Sequence, residues 1–187
     1  DNKELFTSEM FNSSYVGPQS FASTYGEHRD KLELSDNDFE ELFKFSEKNG
    51  ITFFATPFDL KSADFLNEMG LNCFKIASGD LTTFPLIEKV AKFEKPMIIS
   101  TGAADFWEVK KTFDFVIDIN PNVVIMQCTS IYPAKPITIN LNVISTYRDE
   151  FPSTVIGYSG HDSGISIPVA AYALGARFIE KHFTLDR

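Results

Sequence analysis

The sequence predicts an α/β protein built as a TIM (β/α)8 barrel, here incomplete, with about six of its eight strands. Short apolar runs alternate with amphipathic stretches and recur at the roughly 20 to 30 residue spacing of βα units. Such alternation favours a parallel sheet. Polar residues follow the carboxyl end of every apolar run. A barrel gathers all of these ends around one mouth, whereas an open sheet uses mainly those at its switch point.

The predicted strands and helices share a common pattern of apolar runs bounded by turn residues. The strands are 51–55, 73–77, 96–99, 123–126, 154–157 and 177–181, and helices are expected near 60–69, 82–93, 104–118, 139–150 and 163–175. An earlier helix begins at Ser35, whose spacing to Asp38 resembles a capping box, and ends at Asn49-Gly50. Gly70 and Gly175 occupy expected C-cap positions.

The N-terminal stretch differs in character from the rest. Residues 1–34 are mostly polar and aperiodic, which predicts a long loop that follows a strand outside this chain. Residues 35–187 then form the partial barrel, and their strands are expected to be its third to eighth. The chain starts with Asp1 rather than Met and stops directly after an apolar run, so we expect a piece of a longer protein that lacks the first two strands.

Composition narrows the possible partners. The net charge of -9 argues against a broad basic face for nucleic acid. No stretch approaches the roughly 20 apolar residues of a membrane span, so no membrane partner is expected. Cys73 and Cys128 lie in apolar runs, and two buried thiols fit the reducing cytoplasm better than a disulfide framework.

Two histidines form a candidate metal site. His161 and His182 come at the ends of consecutive predicted strands, and neighbouring strands lie about 4.8 Å apart. Two imidazoles at that spacing can share a divalent ion and leave positions open for ligands. The alternative is a pair of hydrogen-bonded structural histidines. Glu180 lies two residues before His182 on the same predicted strand, so both side chains point to the same face. Glu180 is therefore a further ligand, an orienting group or the partner of a nearby lysine.

A lysine within an apolar strand is the second candidate. Lys75 needs an anion there, either a bound ligand or an internal carboxylate. Hydroxyl-bearing strand ends, such as Ser78-Gly79 and Ser100-Thr101-Gly102, suit a phosphorylated or polyhydroxylated ligand. The sequence contains no Gly-x-Ser-x-Gly elbow, GxGxxG or P-loop, which argues against a nucleophilic serine hydrolase and a nucleotide site.

Six motifs together resemble the sialic acid synthase family in order and spacing. They are 55–59 (ATPFD), 75–80 (KIASGD), 100–102 (STG), 127–133 (QCTSIYP), 157–161 (GYSGH) and 179–186 (IEKHFTLD). Residues 24–29 (TYGEHR) resemble the animal branch.

The resemblance implies a transferase that condenses phosphoenolpyruvate with N-acetylmannosamine 6-phosphate or N-acetylmannosamine. It implies a divalent metal, Mn²⁺ or Mg²⁺, held by His161 and His182, and catalytic roles for Asp80 and His182. Asp80 and Ser130 depart from bacterial members, which carry Glu and Asn there. Phosphoenolpyruvate is expected against Thr56, Lys75, Ser78, Ser100, Ser130, Tyr132 and Ser159, and the sugar against Phe58.

The resemblance also implies parts that this sequence does not contain. The family carries further catalytic residues on its first two strands and a small antifreeze-like domain after the barrel, and its full-length members are expected to be homodimers. Residues 1–187 alone are therefore expected to be inactive. Two alternatives remain open: a related phosphoenolpyruvate-condensing sugar-acid synthase, and a non-catalytic ligand-binding fragment.

Overall fold

The computed structural model describes residues 5–18 and 20–185. Contacts within the chain divide it into two compact units, one up to Phe53 and one from Phe54 onward. No helix in the described part of the chain is both long enough and apolar enough to cross a membrane.

The first unit is helical where a long loop was predicted. It contains α1 (Ser8–Phe11), α2 (Tyr25–Leu32) and α3 (Asp36–Lys48). The hydroxyl of Thr24 accepts a hydrogen bond from the backbone N–H of Glu27 and so caps α2. The loop prediction for 1–34 is therefore wrong over α1 and α2, because local caps outweigh the polar composition of this stretch.

Helix α3 begins and ends as the sequence predicts. Ser35 and Asp38 form a reciprocal capping box at its start. Gly50 follows its end with φ of 68°, a left-handed conformation that glycine adopts without strain. The rings of Phe39 and Phe43 pack edge-on against Phe53, so the apolar stripe of the helix has a partner within the unit.

The second unit alternates helices and strands. Its elements in chain order are α4 (Leu60–Glu68), β1 (Phe74–Ile76), α5 (Phe84–Ala91), β2 (Met97–Ser100), α6 (Phe106–Ile117), β3 (Val123–Cys128), α7 (Asn142–Glu150), β4 (Val155–Gly160), α8 (Ser166–Ala173) and β5 (Phe178–Lys181). Short 3₁₀ turns cover Ser78–Asp80 and Pro136–Thr138.

All five strands are parallel and lie side by side in chain order, β1-β2-β3-β4-β5. This confirms the predicted barrel class and five of its six predicted strands. The sixth, at residues 51–55, is reduced to a single parallel bridge between Ala55 and Phe74. One ladder hydrogen bond, from the N–H of Lys75 to the carbonyl of Ala55, holds this bridge.

A contact between two side chains on opposite edges of the sheet shows that the sheet is strongly curved. Four strand spacings separate β1 from β5, which is roughly 19 Å in a flat sheet. Yet Nζ of Lys75 on β1 lies 3.2 Å from Oε1 of Glu180 on β5. The sheet therefore curls into a half-barrel whose concave face forms a lumen.

The convex face of the sheet forms the core with the helices. Its side chains alternate with the lumen-facing ones and are almost fully buried: Phe74, Ile76, Met97, Ile99, Ile125, Ile156 and Tyr158. Each buried aliphatic or Phe side chain contributes about 1.5–3 kcal/mol, so this layer makes the sheet a rigid support for the concave face.

Candidate functional site

Strand register brings several predicted site residues to the concave face. Lys75 pairs with Ile98 of β2, and two residues further along that strand is Ser100. Cys128 of β3 pairs with Ser159 of β4, which in turn pairs with Glu180 of β5. Because side chains alternate faces along a strand, these polar residues share the lumen.

The lumen contains one compact charged cluster. The Lys75 ammonium and the hydroxyl of Ser159 both approach Oε1 of Glu180, at 3.2 and 2.8 Å, and the hydroxyl donates to that oxygen. The Lys75 side chain is 12% exposed and that of Glu180 is 32% exposed. The sequence allowed either a bound anion or an internal carboxylate as the partner of Lys75. In the structure this partner is an internal carboxylate, that of Glu180.

The two predicted histidines lie together at the mouth of the half-barrel. The ring centroids of His161 and His182 are 5.4 Å apart, and the ring of Tyr132 packs on both, at 3.9 and 5.9 Å. All three line a cavity of about 490 Å³ with Pro133, Gly160, Asp162, Ser163, Gly164 and Lys181. The expected convergence of the two rings is therefore observed.

The donor set of this pair fits a divalent ion with open positions. Nδ1 of His161 lies 3.0 Å from the backbone oxygen of Thr129, which can only accept, so Nδ1 carries the proton. The lone pair of the neutral ring is then on Nε2, as a metal requires. Among the described residues, no group of three or more His, Cys, Asp or Glu side chains could hold a metal. A metal held here would therefore have His161 and His182 as its two ligands from the described residues.

A row of hydroxyls lies beside the cluster. Ser78 accepts a hydrogen bond from the N–H of Gly102 at 2.8 Å. A Cβ on Gly102 would meet Oγ of Ser130 and lie 3.1 Å from Sγ of Cys128, so a side chain there would require these two groups to move. The hydroxyl of Ser100 is buried without a partner among the described residues. A buried unpaired hydroxyl is costly, and a ligand oxygen in the lumen would satisfy it.

The remaining predicted residues are less closely tied to this group. Asp80 accepts a hydrogen bond from the hydroxyl of Thr83 at 3.2 Å, and burial raises the pKa of its carboxyl. Thr56 follows the bridge residue Ala55 and is level with Lys75. Phe58 is 48% exposed. The assigned roles of all three remain predictions.

A second charged cluster, which the sequence analysis did not predict, lies on the opposite face of β4 and β5. Asp162 accepts a hydrogen bond from the hydroxyl of Tyr158 at 2.5 Å, and Nζ of Lys181 lies 3.0 Å from its Oδ2. Although burial opposes ionisation, the hydrogen bond from Tyr158 and the nearby charge of Lys181 hold the pKa of Asp162 below its usual value. The only sequence signal was that charged residues directly flank both histidines.

Fold and site together define a (β/α)-barrel protein whose lumen contains a lysine and several hydroxyls and whose mouth carries two adjacent histidines. The NeuB family matches the chain over residues 1–187. The chain therefore belongs to the NeuB family. The resemblance to the sialic acid synthase family and its animal-like branch is confirmed.

Curated relatives support the same family. The chain is 43% identical to the human N-acetylneuraminate-9-phosphate synthase over 182 residues. The alignment covers 97% of this chain and 51% of that protein. It is 44% identical to N,N'-diacetyllegionaminic acid synthase of Campylobacter jejuni over 160 residues. That alignment covers 84% of this chain and 48% of the relative. The chain thus spans about half the length of the curated relatives it matches.

Solved structures support the half-barrel. A sialic acid synthetase from Leptospira borgpetersenii, crystallised with citrate, superposes with a TM-score of 0.81 at 36% identity. The match covers 87% of this chain and 59% of that one. A DAHP synthase from Thermotoga maritima superposes with a TM-score of 0.67 at 17% identity, a likeness that shows the fold alone.

Proposed function

We propose that the full-length protein condenses phosphoenolpyruvate with an N-acylmannosamine, preferably N-acetylmannosamine 6-phosphate, to form the corresponding sialic acid phosphate and inorganic phosphate. The observation that carries this proposal is the lumen: a nearly buried lysine, a row of hydroxyls and two histidines converge there from five parallel strands. Family membership supplies the reaction class.

The phosphoenolpyruvate end of the site is assigned to the charged cluster and the hydroxyls. Lys75 gives the phosphate or carboxylate a charge-assisted contact. We assign to the same ligand a set of hydroxyls that would donate hydrogen bonds without adding charge: Thr56, Ser78, Ser100, Ser130, Tyr132 and Ser159. The unpaired hydroxyl of Ser100 supports this assignment, because it leaves a donor for the ligand.

The sugar end of the site is assigned to the mouth. His161 and His182 would hold a divalent ion, Mn²⁺ or Mg²⁺, and Phe58 would contact the sugar. When bound, the ion supplies Lewis acidity that polarises a carbonyl oxygen. His161 keeps its proton on Nδ1 through Thr129, which orients the ring, and Tyr132 shields both rings from one side.

The reaction balances as follows. The methylene carbon of phosphoenolpyruvate forms a bond to the aldehyde carbon of the open-chain sugar. The aldehyde oxygen takes up one proton and becomes a hydroxyl. Water adds to the carbon that bears the phosphate, and the bond from that carbon to the phosphate oxygen then breaks, which leaves a ketone and inorganic phosphate. Lys75 and the hydroxyls hold the two reacting carbons in line. Asp80, whose pKa burial raises, is assigned the proton transfer from water.

A second acceptor class is favoured by one finding. The relative in Campylobacter jejuni named as a diacetyllegionaminic acid synthase is as similar to this chain as the human protein. A related sugar-acid synthase with a different amino sugar is therefore the alternative. A homodimer in the cytoplasm belongs to the same proposal, through the family resemblance alone.

The test assays the full-length protein with phosphoenolpyruvate, Mn²⁺ and three acceptors: N-acetylmannosamine, its 6-phosphate and the diacetylated legionaminic precursor sugar. Phosphate release should depend on acceptor and be greatest with the 6-phosphate. His161→Ala should abolish turnover while the unfolding temperature changes little. Wild-type activity of His161→Ala in metal-depleted buffer would refute the histidine assignment, and no turnover with any acceptor would refute the reaction.

A further inference from the structure

The strand ladder places the two histidines on neighbouring strands but does not by itself fix the separation of their rings, and the Thr129 carbonyl holds the His161 ring alone. The last paired residues of β4 and β5 are Gly160 and Lys181. His161 and His182 each come one residue later, beyond the ladder. Tyr132 packs on both rings but is itself 67% exposed, so it is a weak restraint.

A buried ion pair joins the two segments at this point. Lys181, directly before His182, lies 3.0 Å from Oδ2 of Asp162, directly after His161. Its ammonium also donates a hydrogen bond to the backbone carbonyl of Asp162. The Asp162 side chain is 1% exposed, so this contact is screened little by solvent.

Asp162 is itself fixed from two other directions. The Tyr158 hydroxyl donates to its Oδ1, and its backbone forms a parallel bridge with Ala134, two residues beyond Tyr132. A Cβ on Gly160 would lie 2.4 Å from the Tyr158 ring and 2.6 Å from Oδ1 of Asp162. The chain thus has glycine at a position where a side chain would displace this carboxylate.

We propose that the Lys181–Asp162 ion pair is the device that sets the separation of the His161 and His182 rings. Lys181 and Asp162 are positioning residues: they act through the histidines on either side of them and not on a substrate. As far as the pair prepares a metal site, the inference rests on the proposed function. The ring geometry itself does not depend on that function.

The decisive variant is Lys181→Met, which keeps most of the stem and removes the charge. Lys181→Arg keeps the charge and serves as the rescue. Tyr158→Phe is the matched control, because it removes a hydrogen bond from the same carboxylate but leaves the link to β5 intact. All three are made in the full-length protein, and thermal unfolding records the loss of stability for each.

The first measurement uses metal-free protein with ¹³C-labelled histidine. Lys181→Met should shift and broaden the ring signals of both His161 and His182, whereas Lys181→Arg and Tyr158→Phe should leave them close to wild type. The second measurement is Mn²⁺ binding by electron paramagnetic resonance. Lys181→Met should weaken it by about 10- to 100-fold, as loss of an orienting partner does at other metal sites.

The outcomes separate the two ideas. Unchanged histidine signals in Lys181→Met would overturn the positioning role, as would equal changes in Lys181→Met and Tyr158→Phe, which would indicate a merely structural network. If the wild-type protein binds no Mn²⁺ but the histidine signals respond as expected, the positioning role stands and the metal assignment in the proposed function fails.

Discussion

The sheet carries a lysine–carboxylate pair on each face, and the two pairs differ in which partner is buried. In the lumen, Lys75 is 12% exposed and its partner Glu180 is 32% exposed. On the opposite face, Asp162 is 1% exposed and Lys181 is 27% exposed. The lumen pair joins opposite edges of the sheet across open space, whereas the Asp162 pair joins neighbouring segments within packed protein.

This difference indicates different uses of the same chemistry. Glu180 is accessible, so an anionic ligand can compete with it for Lys75 and Ser159. The Asp162 side chain is 1% exposed and contacts Tyr158 and Lys181, so a ligand has little access to it. The first pair is suited to exchange partners on binding, and the second to hold geometry.

The largest effect should come from breaking the enclosed pair. Asp162→Ala leaves the Tyr158 hydroxyl and the Lys181 ammonium without their acceptor, and we expect a loss of about 3–5 kcal/mol in the free energy of unfolding. Chemical denaturation of the full-length protein measures this. Asp162→Asn, which keeps the hydrogen-bonding shape, should cost clearly less; equal losses would show that the charge of Asp162, and not its hydrogen-bonding shape, carries the stabilisation.

Breaking the accessible pair should affect ligand binding more than stability. Lys75→Met removes the charge that the phosphate or carboxylate of phosphoenolpyruvate would meet, so binding should weaken by about 2 kcal/mol or more. Titration calorimetry with phosphoenolpyruvate, and separately with the sugar, measures the effect. Equal weakening for both ligands would argue that Lys75 only supports the lumen.

A smaller effect is expected from the hydroxyl that shares Glu180 with Lys75. Ser159→Ala removes the donor at 2.8 Å, but Glu180 keeps its lysine, so the free energy of unfolding should fall by about 1 kcal/mol. Phosphoenolpyruvate affinity should decrease less than in Lys75→Met. A loss as large as that of Lys75→Met would mean that the serine, and not the lysine, dominates binding.

The smallest effect should come from an ion pair on the outer surface. Lys92 and Glu88 are 63% and 46% exposed, one helical turn apart at the end of α5. Lys92→Met should change the free energy of unfolding by no more than about 0.5 kcal/mol, since solvent screens the pair. A loss approaching that of Asp162→Ala would show that solvent exposure does not determine how much each ion pair contributes to the free energy of unfolding.

The sequence predicted the barrel class well because each βα unit carries its own signal. Apolar runs, cap residues and polar strand ends are local, and they located Lys75, His161 and His182 at the lumen and its mouth. The strand at 51–55 failed because a strand needs a partner, and only Ala55 finds one among the described residues. Helix α2 was missed although Thr24 and Glu27 match a capping pattern.

The enclosed pair could not be predicted from sequence for a different reason. Whether Asp162 meets Lys181 depends on the register between β4 and β5 and on the turn that follows each strand. Glu180 was foreseen as a possible partner for a lysine, but the curl that brings Lys75 to it from the opposite edge is a property of the whole sheet.

The strictly sequential strand order has a consequence for synthesis of the chain. Each new strand pairs with the one made just before it, so every βα unit can dock as it leaves the ribosome without waiting for distant sequence. The Lys75–Glu180 contact is the exception, because it joins the first strand to the last. Until β5 emerges, the ammonium of Lys75 has no carboxylate partner in the lumen, and burying it there costs free energy. The lumen of the nascent half-barrel should therefore stay loosely packed around Lys75 until β5 docks.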